Sequence, residues 1–145
     1  MRFLLISASV MVALGLSACA RDQMQMTEKP EIFSNSVALQ LDENARAVIL
    51  RDVRPAIQNA VKNGPELNSQ AAEITELSSV SAGGHIYACG KVLVPNVVLG
   101  TEETLSFSGE LVQKVMFVRD YIGGDSSQEA FVKRACAKRG MKLSG

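Results

Sequence analysis

Three cysteines (Cys19, Cys89 and Cys136) and a single histidine, His85, are the residues of this 145-residue chain whose types could carry nucleophilic, redox or metal chemistry. The spacing of His85 to Cys89 invites a Cys–His nucleophile. On a strand, however, residues four apart stand roughly 13 Å from each other, beyond hydrogen-bond reach. A zinc site built from His85, Cys89 and Cys136 lacks a fourth ligand and the paired spacing such sites use. The acids Glu102-Glu103 fall in an expected loop and read as solvated turn residues. No C-x-x-C pair, nucleophile elbow or H-E-x-x-H motif occurs. We therefore expect no catalytic residue, metal ligand or cofactor, with His85 an exposed or edge residue. A second candidate is the C-terminus, where Lys133, Arg134, Lys138, Arg139 and Lys142 oppose only Glu129 from residue 129 onward. These cations could contact anionic lipid headgroups or an acidic partner. Alternatively, they complement a helix C-terminal dipole and solvate its outer face.

The chain as a whole is neutral, with 15 Lys or Arg against 15 Asp or Glu. That balance gives no electrostatic case for nucleic acid as a partner. Apolar residues make up 47%, too many for a disordered chain, and the length suits one domain. Apolar stretches long enough for several membrane spans are missing.

The N-terminus reads as an address. Met1-Arg2 supplies a small positive charge, and Phe3 to Ala20 then runs 18 residues without another. A short apolar core passing into Gly15, Ser17 and Ala18 is the signature of a cleavable export signal, and the small residues argue against a permanent span. Leu16-Ser17-Ala18-Cys19 resembles the bacterial lipoprotein lipobox: an aliphatic residue, two small residues and a cysteine. The resemblance implies a diacylglyceryl group on the Cys19 thiol, cleavage between Ala18 and Cys19, and acylation of the new amine. Two or more acyl chains anchor stably where one does not. Ala20 after the cysteine resembles the signal for onward transport to the outer membrane, facing the periplasm, rather than retention at the inner membrane. The competing readings are an ordinary secretory signal and an uncleaved span; each places the rest of the chain outside the cytoplasm.

With Cys19 given to lipid, Cys89 and Cys136 are left, an even number in an oxidising compartment, which suggests a disulfide. Closing that loop would contribute about 4 kcal/mol on chain-entropy grounds. The rival is two independent buried thiols.

The elements that must position these groups follow from periodicity. Residues 1–18 are the signal, residues 19–41 a lipidated, polar tether, and residues 42–145 a single α+β domain. The tether's alternative is a docking arm using Met24, Met26, Ile32 and Phe33. Asp42 caps a helix whose Ala45, Val48, Ile49, Val53, Ala56, Ile57, Ala60 and Val61 recur at helical steps. Pro55 predicts a kink or break within it, and Gly64-Pro65 its end. Residues 69–80 suit either a short helix or a strand. Gly83-Gly84 predicts a turn into a strand over residues 85–94, with Ile86, Ala88, Gly90, Val92 and Val94 on one face and His85, Tyr87, Cys89, Lys91 and Leu93 on the other. Pro95-Asn96 stops it, and residues 104–107 and 111–121 read as further strands. Ser126 with Glu129 forms a capping box for a last helix, with Phe131, Val132, Ala135 and Cys136 on its buried face. The expectation is an antiparallel sheet of three or four strands, with an N-terminal and a C-terminal helix packed on one sheet face.

Gly64-Pro65, Ser69-Gln70-Ala71, Tyr87-Ala88-Cys89-Gly90-Lys91-Val92, Phe107 and Cys136 together resemble a class of small proteobacterial exported proteins and lipoproteins. In that class a Cys-Gly-x-Val strand core is followed by a Gly- and Tyr-rich loop, a Pro-Phe strand and a second cysteine in a terminal helix. Here Leu93-Val94-Pro95-Asn96 replaces the class's Asn-rich turn, and Val97-Val98-Leu99-Gly100 carries none of its tyrosines. The resemblance implies an α+β lipoprotein domain with a Cys89–Cys136 bridge and lends no activity. The expected function is a non-enzymatic, lipid-anchored envelope protein that binds a protein, lipid or cell-wall partner. The alternatives are a periplasmic inhibitor or envelope-stress protein that uses residues 95–104 as a plug, and an envelope hydrolase built around His85.

Overall fold

The computed structural model describes residues 30–145 apart from Asn63. Ala18, Cys19, Met24 and Met26 lie outside the described residues. After a 3-10 turn over Pro30–Asn35 come β1 (Val37–Ala38) and α1 (Glu43–Ala60). Four long strands follow, β2 (Glu73–Ala82), β3 (His85–Asn96), β4 (Thr101–Val112) and β5 (Met116–Gly123), and then α2 (Ser126–Lys138). The sheet is a five-stranded antiparallel meander in the order β1-β2-β3-β4-β5. It has one strand or two more than expected, because residues 73–82 are strand and Val37–Ala38 pairs with Val80 and Ser81. Residues from Val37 onward therefore belong to the folded domain, not to a tether. Phe33 packs edge-on against Tyr87 with ring centroids 5.2 Å apart.

Asp42 accepts from the Ala45 N–H at 2.8 Å and starts α1. The helix then continues unbroken through Pro55. That proline sits on the solvent face, and burial of Val53 before it and of Ala56, Ile57 and Ala60 after it holds both halves against the sheet. The helix stops at Ala60, earlier than Gly64-Pro65, which form a separate 3-10 turn with Glu66.

The hairpin between β2 and β3 turns on Gly83 and Gly84, both at positive φ, the backbone shape a two-residue turn requires. β3 runs two residues further than expected. Beyond Leu93, the partner of Glu73, it has no β2 neighbour, so the missing N–H of Pro95 costs no ladder bond there. The larger difference lies downstream. β4 is continuous from Thr101 to Val112, and the chain reverses at Gln113 and Lys114, inside the segment 111–121 that reads as one strand. Both turn residues carry positive φ, 49° and 59°, without the Gly or Asn that usually marks such a reversal.

The two faces of β3 alternate as the pattern requires, but the helices take opposite sides of the sheet. α1 covers Ala88, Val92, Val94, Leu105, Phe107, Leu111 and Phe117. The α2 residues Val132 and Cys136 pack with Val80, Tyr87, Cys89 and Met141 on the other side. On the α1 side, Phe107 lies over its cross-strand partner Gly90, where a Cβ would stand 2.6 Å from the ring. No helix of the described residues is long and apolar enough to cross a membrane.

Candidate functional site

Asp125, not Ser126, caps α2: its carboxylate accepts from Gln128 N–H and Ser127 Oγ, each at 2.8 Å. These bonds hold the Asp125 carboxyl below its ordinary range. The cap aims α2 over β5 and β4 towards β3. Cys136 then meets Cys89 with a Cα–Cα distance of 6.0 Å, and their sulfurs are joined as a disulfide. Both cysteines are fully buried, and with its sulfur bonded Cys89 has no thiolate to offer His85. His85 Nδ1 instead meets Glu110 Oε1 at 2.6 Å, and its ring stacks near Tyr87. The hollow that contains His85 and Glu110 is lined by Gly84, Ile86 and residues 111–114, none of which carries a hydroxyl or a thiol.

The five C-terminal cations do not form one surface. Arg139 is only 4% exposed: Nη1 donates to Asp120 Oδ2 at 2.6 Å, and the guanidinium lies 4.5 Å from the Tyr87 ring centre. It is part of the packing between α2 and the sheet, a correction to the outward role its position suggests. Lys133 is half-buried and pairs with Glu129 at 3.1 Å. Arg134, Lys138 and Lys142 remain exposed.

Phe131 also departs from expectation. It is 53% exposed and stacks with Tyr121, itself 48% exposed, at 6.1 Å and an interplanar angle of 20°. Arg134 lies over the Phe131 ring, 4.5 Å from its centre. Because α2 crosses only part of its sheet face, a groove of about 440 Å³ stays open between the helix and β5. Val118, Tyr121 and Phe131 give it an apolar floor, and Arg119, Arg134 and Lys138 stand around it. Exposed rings that are fixed by stacking lose little freedom on binding, and cations at the rim favour an acidic guest. Sequence reasoning found the cations but missed the rings. The available signal was Tyr121 at the end of a strand and Phe131 in the second turn of the helix that follows it.

A second surface is the β3–β4 tip. Val97, Val98 and Leu99 are 65, 68 and 58% exposed. They lie in the segment 95–104 that the inhibitor reading singles out. No protein-family model, curated protein or solved structure matches the chain.

Proposed function

We propose that this chain is a lipid-anchored protein of the bacterial cell envelope, held through acylated Cys19 in the outer membrane and facing the periplasm. Its domain is a non-enzymatic binding module, and the groove between β5 and α2 takes an apolar, acidic segment of a partner protein. The observation that carries the groove is the exposed Tyr121–Phe131 stack with Arg134 across it. Aromatic and arginine side chains grouped at a concave surface are the residues that dominate protein interfaces. Leu16-Ser17-Ala18-Cys19 supports the anchor, and a disulfide buried in a domain of this size suits an oxidising compartment.

Labelling of cells with a fatty-acid analogue tests the anchor: label enters the wild-type chain and not Cys19→Ala. For the groove, a photoreactive phenylalanine analogue placed at exposed Lys138 of the full chain should yield protein adducts in intact cells. Adduct formation no greater than from a probe at Gln70, an exposed position away from the groove, overturns the binding reading. The fixed apolar tip at residues 97–99 favours one second reading, a periplasmic inhibitor that inserts this tip into an enzyme's cleft.

A further inference from the structure

The tip and the groove have complementary chemistry. At the tip, Asn96 is 1% exposed, and its side-chain oxygen accepts from the N–H groups of Val98 at 3.1 Å and Leu99 at 3.0 Å. Gly100 N–H closes the turn on the Asn96 carbonyl at 3.0 Å. From the side, Val97 N–H donates to Glu66 O at 2.9 Å, and Asn68 N–H donates to Pro95 O at 2.8 Å. Three aliphatic side chains are thus held outward on a braced support. Glu66, Glu102 and Glu103 surround that support, and Lys91 is the only lysine or arginine between Glu66 and Lys114. The hairpin also projects: β5 ends at Gly123, the partner of Ser106, while β4 starts at Thr101, roughly 17 Å further out.

The groove offers the reverse, an apolar floor with Arg119, Arg134 and Lys138 at its rim. We infer that the groove's occupant is a second copy of this chain, whose tip (Val97, Val98 and Leu99) seats on Tyr121 and Phe131 while Glu102 and Glu103 face the rim cations. This deepens the proposed binding role and rests on it. The braced tip cannot bend back into its own groove, so contact runs between copies. Tip and groove are different surfaces, so the interface is head-to-tail, and a pair of copies keeps one tip and one groove free for the next. Such contacts close into rings or extend as filaments.

The test uses full-length chains in intact cells, as two differently tagged copies, with the photoreactive residue at Val98 of one. We expect an adduct of twice the chain mass that carries both tags, with the cross-link mapped to residues 116–139 of the second copy. Phe131→Ala in that second copy, an exposed site, should lower the yield about tenfold, as loss of an aromatic anchor does. Glu102→Lys with Glu103→Lys should lower it as well. Adducts only with another protein, only with residues before Pro30 of the same chain, or only with lipid overturn the second-copy occupant. The Lys138 probe separates the two readings. Adducts there to a different protein leave the binding groove standing while this inference falls; no adducts from either position remove both.

Discussion

The two faces of the sheet are held by different physics. Under α1 the support is area: six helix residues, Ala45, Ile49, Val53, Ala56, Ile57 and Ala60, are buried against aliphatic positions and the crossed rings of Phe107 and Phe117. Under α2 only Val132 and Cys136 of the helix are buried. That face is completed by a covalent bridge, the Arg139–Asp120 ion pair, and a C-terminal tail fastened to Glu76 through Ser144 N–H and Oγ. Burial pushes the Glu76 carboxyl up, but the Ser144 bonds and Lys91 outweigh it and the group sits below its ordinary range. A face with broad apolar contact depends little on any one link. One with little contact depends on each link, and the groove exists because α2 leaves part of the sheet uncovered.

The largest expected effect is on the α1 face. Phe107→Ala should cost about 3–5 kcal/mol, with both helices lost in one transition on chemical denaturation. A loss below about 1 kcal/mol would contradict the weight given to that face. Next, Cys89→Ala with Cys136→Ala, which opens a loop of 47-residue separation, should cost about 2–4 kcal/mol. Amide exchange should then show α2 opening ahead of α1; equal protection of the two helices would remove the contrast.

A smaller effect concerns how α1 grips β5. Asp52 accepts from Arg51 and from Phe117 N–H at 2.8 Å, and Arg51 also donates to Val115 O at 2.8 Å. The Arg51 bond first, with the Phe117 N–H, holds the Asp52 carboxyl below its ordinary value of 3.8 against a desolvation push upward. A carboxyl lowered by folding stabilises the native state above its unfolded value and loses that contribution as pH falls through the folded one. Asp52→Asn should therefore cost about 1–2 kcal/mol near neutral pH, and the difference from wild type should shrink below pH 3.8. A difference that stays constant between pH 7 and pH 3, measured by urea unfolding, would refute the assignment. The smallest change belongs to neither face: Lys114→Gly relieves a positive-φ residue and should stabilise the fold by about 1 kcal/mol.

Legibility in the sequence followed the same division. Strict alternation along β3, the Asp42 cap and the Gly83-Gly84 turn are local signals, and each produced its element. The split between β4 and β5 was hidden because Gln113 and Lys114 adopt a backbone shape that their types do not advertise. Which side of the sheet a helix takes is not a local property: Cys89 and Ala88 point opposite ways, and the partner of Cys89 fixes the side of α2. Phe131 read as core because the apolar run of α2 is broad, but the bridge at Cys136 fixes the helix's rotation and leaves the ring outside. Arg139 was read by charge alone, whereas its partners Asp120 and Tyr87 come from two different strands.

The grip of Arg51 and Asp52 on the start of β5 has one more consequence. An outermost strand with free backbone groups invites any extended peptide to stitch onto it and recruit others without limit. Here the Val115 carbonyl and the Phe117 amide are already occupied by side chains from α1. Strand-by-strand growth is thereby barred at that entrance to the sheet edge.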